Sequence, residues 1–225
     1  MLRRLALLLF TILGLSPVKA EEPNLATDAA DQGAATQLVL AQRLYSQASA
    51  SGDPVLLLAA IRLARGITTR PAPGWERLTD PATPPVPAPE RQTPADPASD
   101  AALTVLQGLA SDDPDLLDLA YDLGAQLPQG RLPVATVVQA GLTSGTQDSW
   151  RVPLSGGVAA EIALIGDGGG PVGLTVTDEA GNVICTRPPA TDPCLCRFTP
   201  ARNGFFTLQV TNAGAGWNSY RLVGN

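Results

Sequence analysis

Residues 158–177, VAAEIALIGDGGGPVGLTVT, contain two apolar runs separated by a glycine-rich turn. The runs, 158–165 and 172–177, have the usual length of β-strands and are rich in β-branched residues. The stretch 167–170, DGGG, is typical of a turn, because glycine adopts backbone conformations that other residues avoid. This segment therefore predicts two neighbouring strands of a sheet.

The same pattern of short apolar runs and turns continues on both sides of this segment. Further turn sequences lie at 155–157, 178–182 and 212–216. Many short strands separated by such turns are typical of an antiparallel β-sandwich, which we expect over residues 131–225. The predicted strands are 133–142, 149–154, 158–165, 172–177, 183–185, 195–199, 205–211 and 218–223.

A series of short motifs runs through this half of the chain in a fixed order. They are QAGL at 139–142, DSWRV at 148–152, AEIAL at 160–164, LTVTD at 174–178 with Gly181-Asn182, FTP at 198–200, GFFTLQV at 204–210 and NSYRL at 218–222. In order and spacing they resemble the bacterial pre-peptidase C-terminal (PPC) domains, over about residues 135–222. Those domains are small β-sandwiches of jelly-roll type found on secreted proteins.

The resemblance implies a non-catalytic module that assists the export or stability of a secreted enzyme, or its attachment to an extracellular polymer. Within residues 1–225 we expect no catalytic domain beside the module. Some family members bind calcium through acidic residues before the central strand, and Asp167 occupies that stretch here. With Asp178, Glu179 and Asn182 nearby in sequence, Asp167 and Asp178 are the calcium candidates, although Ca²⁺ requires six to eight oxygen ligands.

The three cysteines, Cys185, Cys194 and Cys196, lie within twelve residues of one another. In an oxidising compartment two of them are expected to form a disulfide. Cys194 and Cys196 lie on the same face of a strand, so either is able to pair with Cys185. We prefer Cys185 with Cys194, which closes the loop 186–193, and keep Cys196 as the alternative partner.

The aromatic residues of the sandwich are expected mainly in its core, because alternation places Trp150 and Phe206 on inward faces. Trp217 differs, because it follows the glycine-rich loop 212–216. Aromatic side chains at a surface are frequent contact residues. Trp217 and Tyr220 are therefore the ligand-binding candidates.

The first half of the chain contains a repeat at an offset of 60 residues, SGDPVLLLAA at 51–60 and SDDPDLLDLA at 111–120. In both copies Asp-Pro predicts a helix start, because Asp caps free N–H groups and Pro suits the first helical position. Gly66 and Gly124 are expected to end these helices in the left-handed conformation. With helical patterns upstream, the repeat predicts two helical hairpins, at 21–70 and 99–130, forming a small bundle.

Between the hairpins, residues 71–98 contain nine prolines and are expected to form an extended linker or loop without helix or sheet. At the other end of this half, residues 1–20 contain Arg3 and Arg4, an apolar run and Val-Lys-Ala. These features predict a cleaved signal peptide and a periplasmic or secreted product, with no membrane insertion after cleavage. The apolar run is too short to span a bilayer.

Removal of Arg3, Arg4 and Lys19 leaves 12 of the 15 basic residues, all arginine, against 21 acidic residues, a formal charge of −9. That sign disfavours nucleic acid. The chain has no histidine, which excludes Ser-His-Asp and Cys-His catalysis and histidine-ligated zinc. We therefore expect no enzyme and no cofactor.

The sequence thus predicts an α+β protein of two domains, a helical bundle followed by an antiparallel jelly-roll-like sandwich. The expected function is binding of a protein or polysaccharide in the bacterial envelope or exterior. The alternative is a structural or secretion-accessory protein whose helical domain binds a client chain.

Overall fold

The computed structural model describes residues 21–26, 32–78, 93–125 and 132–225. The predicted signal peptide lies outside the described residues. The predicted α+β class is confirmed, because the described residues form helices and two sheets in which most strand pairs are antiparallel. The elements are α1 Ala34–Ser51, α2 Pro54–Arg65, β1 Thr68–Pro71, β2 Glu76–Leu78, α3 Asp100–Leu109, α4 Pro114–Ala125, β3 Val134–Leu142, β4 Gln147–Leu154, β5 Ala160–Gly166, β6 Val172–Thr177, β7 Val183–Ala190, β8 Cys194–Phe198, β9 Gly204–Asn212 and β10 Asn218–Gly224.

The strands form two five-stranded sheets that pack face to face. Sheet A has the order β1-β3-β10-β5-β8, and sheet B has the order β2-β4-β9-β6-β7. Every pair is antiparallel except β1 with β3. All eight strands predicted from the sequence are present, as β3 to β10. Strand β7 continues past Pro188 and Pro189 because an edge strand tolerates missing N–H donors.

Strand β5 is buried on both of its faces. Ile162 and Leu164 point into the core between the sheets, together with Leu222 of β10. Ala163 and Ile165 point the other way and pack against helix α1. The alternation of a strand therefore supplies two separate apolar surfaces, which explains why nearly every side chain in AEIALI is apolar.

The four helices named above form two hairpins that share one apolar cluster. Asp53 caps α2 through the N–H of Leu56 at 3.0 Å, and Asp113 accepts from the N–H of Leu116 at 3.1 Å. The predicted helix ends are wrong, because Gly66 has a φ of −74° and Gly124 lies inside α4. The left-handed glycine is Gly52, with a φ of 66°, which ends α1 and turns the chain into α2. The shared cluster contains Ala48, Leu57, Ile61, Ala102, Leu106, Ala120 and Leu123.

Helix α1 is attached to sheet A through the buried carboxylate of Glu161. Gly33 precedes the helix and provides no side-chain cap. Glu161 of β5 accepts instead from the Gly33 N–H at 2.8 Å, the Thr36 N–H at 3.0 Å and the Thr36 hydroxyl at 2.5 Å. A residue 128 positions away thus caps the helix and fixes its N-terminus against the sheet.

Two short strands from the first half of the chain complete the sheets. Strand β1 pairs with β3 at the edge of sheet A, and β2 pairs with β4 at the edge of sheet B. The expectation that residues 71–98 form no sheet is therefore wrong for Pro71 and for residues 76–78. Proline is compatible with an edge strand because one side of that strand makes no ladder hydrogen bonds. Residues 79–92 of the predicted linker lie outside the described residues.

Candidate functional site

The arginines of the described residues form two groups, those that pair with a carboxylate and those that do not. Of ten arginines in this part of the chain, five form ion pairs with carboxylates. Three of the other five, Arg43, Arg187 and Arg197, line one open groove of about 440 Å³. We call this feature the arginine groove. It lies where α1, β7, β8 and the connection 191–193 meet.

Two of the three guanidinium groups are held in place by backbone carbonyls. Arg43 Nη2 donates to the carbonyl of Pro193 at 2.9 Å, and Arg187 Nε donates to that of Leu195 at 2.7 Å. A guanidinium has five N–H donors, so both groups retain donors for a ligand. Within the described ranges the Arg197 side chain makes no hydrogen bond or ion pair. The carboxylate of Asp192 also lines the groove and forms no ion pair there.

A disulfide borders the arginine groove and joins the two sheets. It links Cys185 of β7 to Cys196 of β8, with 6.0 Å between their Cα atoms. The preferred pairing of Cys185 with Cys194 is therefore wrong, and the alternative partner is the observed one. The packing of the sheets explains the choice: Cys196 is fully buried in the core between them, and Cys185, on the edge strand of the facing sheet, packs against that core.

Cys194 remains a thiol and lines the groove. Burial raises its pKa to about 11, although the nearby Arg187 and Arg43 act in the opposite direction. The thiol is therefore neutral near pH 7 and leaves the charge of the arginines unchanged.

This raised pKa predicts slow alkylation of Cys194. At pH 8 the thiolate fraction is far smaller than for an ordinary cysteine, so iodoacetamide should modify Cys194 at least about tenfold more slowly in the native protein than in urea. Mass spectrometry without reductant would follow this single thiol. Equal rates in both conditions would contradict the burial of Cys194.

Tyr220, one of the two predicted ligand contacts, is completely buried. Its hydroxyl donates to Asp148 Oδ2 at 2.5 Å and accepts from Trp150 Nε1 at 2.8 Å. Burial, and then the charge of Asp148, raise the Tyr220 pKa strongly. The prediction of Tyr220 as a surface contact is wrong, because it shares the inward face of β10 with Leu222.

Trp217 is half-buried, and its role as a ligand contact stays a prediction. Its indole lies directly on the backbone of Gly141, where an added Cβ would come within 2.2 Å of the ring. The close approach explains why residue 141 must lack a side chain. The cavity at the ends of β4 and β9, of about 380 Å³, is formed by other residues and has no charged side chain in its lining.

The two calcium candidates lie at opposite ends of strand β6, so the structure does not bring them together. Asp167 accepts from the N–H groups of Gly169 and Ser219. Asp178 accepts from the N–H of Asn182, which stabilises the turn between them, and from the N–H of Asn24 at 2.8 Å. Burial opposes its charge, but the Asn182 amide and backbone N–H groups lower the pKa of Asp178. In the described segments, no three His, Cys, Asp or Glu residues cluster as a metal site would require.

No helix in the described part of the chain has the length and apolar character needed to cross a bilayer. No family model matches the sequence, and no curated protein matches it. Among solved structures, the chain is similar to the pre-peptidase C-terminal domain of a collagenase from Bacillus anthracis, with 17% identity and a TM-score of 0.33. The match covers 39% of this chain and 87% of that domain. A likeness of this size assigns no function.

Proposed function

We propose that this chain is an exported, non-catalytic binding protein of the bacterial envelope or exterior that engages carboxylate groups of a protein or polysaccharide. The arginine groove carries the proposal. Arg43, Arg187 and Arg197 lack carboxylate partners among the described residues and share one open groove. Their mutual repulsion is relieved when an anion binds, and guanidinium groups suit bidentate contact with carboxylates.

Both halves of the chain contribute residues to the arginine groove. Arg43 comes from α1, whereas Arg187 and Arg197 come from the edge strands of the sandwich. In this proposal the helical bundle and the jelly-roll-like, PPC-like sandwich are two domains that bind as one unit. The Cys185–Cys196 disulfide supports the proposal in two ways, because it limits motion of β7 against β8 and because such bonds persist in oxidising compartments.

The test compares two carboxylate polymers with a neutral one. We expect the purified protein to bind immobilised polygalacturonate, polyglutamate or both at 150 mM salt, and not to bind dextran. The double variant Arg43→Gln/Arg187→Gln should weaken binding at least about tenfold, because each charge-assisted contact contributes roughly 1.5–3 kcal/mol.

The matched control is Arg62→Gln/Arg70→Gln, which removes the same charge from two exposed arginines that also lack ion pairs. This control should bind like the wild type. Equal binding by the groove variant and the wild type would refute the proposal. If binding is lost only in Trp217→Ala, the ligand binds at the indole of Trp217 instead.

One observation favours the second candidate function, in which the helical domain binds a client chain as a structural or secretion-accessory protein. Val105 and Leu109 lie one turn apart on α3 and are 46% and 40% exposed. An exposed apolar pair of this kind is suited to contact with an apolar segment of another chain. It is small, so we rank this function below binding at the arginine groove.

A further inference from the structure

A second cavity, of about 200 Å³, adjoins the arginine groove. Helix α1 lines it with Gln42, Tyr45, Ser46 and Ser49, which lie on one side of the helix at the spacing i, i+3, i+4 and i+7. The end of β5 with the turn that follows it, the connection 191–193 and Ala95 complete the lining. We call this cavity the hydroxyl pocket, because most of its side chains on α1 end in a hydroxyl group.

The two cavities are neighbours along helix α1. Pro193 lines both of them, and the connection 191–193 runs from Thr191 in the pocket to Asp192 in the groove. On the helix, Gln42 of the pocket is followed directly by Arg43 of the groove. A ligand longer than one chemical unit is therefore able to occupy both at once.

The hydroxyl groups of the pocket are available to a ligand. Tyr45, Ser46 and Ser49 form no side-chain hydrogen bond to any residue in the described segments. The ring of Tyr45 is half-buried against the apolar cluster of the helices, which fixes its position. The one carboxylate in the lining of the pocket, that of Asp167, is already engaged by backbone N–H groups.

Hydroxyl groups and an aromatic ring suit a sugar, whose ring has a hydroxyl-bearing edge and an apolar C–H face. The adjoining arginines suit a carboxylate. We propose that the hydroxyl pocket and the arginine groove together bind an acidic polysaccharide with carboxylate-bearing sugar units, such as a uronate polymer. This inference rests on the proposed function and names its ligand class.

The net negative charge of the protein favours some anionic ligands over others. The formal charge of −9 after signal cleavage repels densely charged polyanions, but at physiological salt the repulsion is screened beyond about 8 Å. A carboxylate in the groove therefore interacts mainly with the three arginines and Asp192. A polymer with one carboxylate per sugar, and neutral hydroxyl groups between, suits this arrangement better than a polyphosphate.

The experiment measures the affinity of the purified full chain for three tetramers by calorimetry: galacturonate, glutamate and neutral galactose. We expect the galacturonate tetramer to bind at least tenfold more tightly than tetraglutamate, and the galactose tetramer to bind most weakly. Raising the salt concentration from 50 to 300 mM should weaken the binding of both anionic tetramers, because salt partly screens their contacts with the arginines.

The decisive variant is Ser46→Ala/Ser49→Ala, with Ser155→Ala on an exposed turn as control. The pocket variant should lose roughly tenfold in galacturonate affinity, since each hydrogen bond contributes about 0.5–1.5 kcal/mol, and should bind tetraglutamate as the wild type does. Alanine favours helix, so α1 is retained. The control should change neither affinity.

The outcomes separate this inference from the proposed function. If the pocket variant binds galacturonate like the wild type, or if tetraglutamate binds as tightly, the inference is overturned and the arginine groove stands as a site for carboxylates in general. If the variant Arg43→Gln/Arg187→Gln binds both anionic tetramers with wild-type affinity, the proposed function is refuted as well.

Discussion

Glu161→Ala is expected to lower the free energy of unfolding by about 3 kcal/mol. The substitution leaves the N–H groups of Gly33 and Thr36 and the Thr36 hydroxyl without their acceptor. It also removes a negative charge from the positive end of the α1 dipole. Gly33 has no side chain with which to replace the cap, so the first turn of α1 should separate from sheet A.

Urea unfolding followed by tryptophan fluorescence and by circular dichroism would measure this loss. Glu179→Ala is the matched control, because this exposed carboxylate also accepts a backbone N–H, that of Phe205 at 2.7 Å. We expect it to cost less than about 1 kcal/mol, since water replaces the lost partner. Similar losses in the two variants would show that the cap on α1 is unimportant.

Asp148→Ala is the second change with a large expected effect, again a loss of about 3 kcal/mol. The carboxylate of Asp148 is almost completely buried, where it accepts from the Tyr220 hydroxyl and pairs with Arg77 of β2. Its removal leaves the hydroxyl proton of Tyr220 without an acceptor inside the core. Arg77 is more exposed, so the loss of the ion pair contributes the smaller part.

A double-mutant cycle separates these contributions. Asp148→Asn retains an acceptor for Tyr220 and should recover part of the loss, whereas Tyr220→Phe removes the hydroxyl that links Asp148 to Trp150. The combined variant Asp148→Ala/Tyr220→Phe should cost less than the sum of the single variants, by at least about 0.5 kcal/mol. Strict additivity would mean that the three side chains do not act as a network.

Local chemistry explains what the sequence could predict of the fold. Alternation and turn residues identified all eight strands from β3 to β10, because each signal lies within its own segment. The two Asp-Pro helix starts are local signals in the same sense. Pairing with distant strands is different: β1 and β2 are four and three residues long, and they exist as strands because β3 and β4 provide partners.

The candidate site depends on contacts that sequence spacing does not reveal. Arg43 is 150 residues from the carbonyl of Pro193 that it binds, so no motif joins them. A partial signal was present, since Arg187 follows Cys185 by two residues and Arg197 directly follows Cys196. The disulfide partner was missed for a related reason, because Cys194 and Cys196 share a face and only the packing of the two sheets distinguishes them.

The position of β10 in sheet A determines when the sandwich is able to close. It is the last strand in chain order, yet it lies in the middle of the sheet between β3 and β5. A chain that emerges N-terminus first therefore presents two facing, unpaired strand edges until residues 218–224 arrive. Such edges readily pair with other chains. Loss of this one strand would leave both edges open and make the sandwich prone to aggregation.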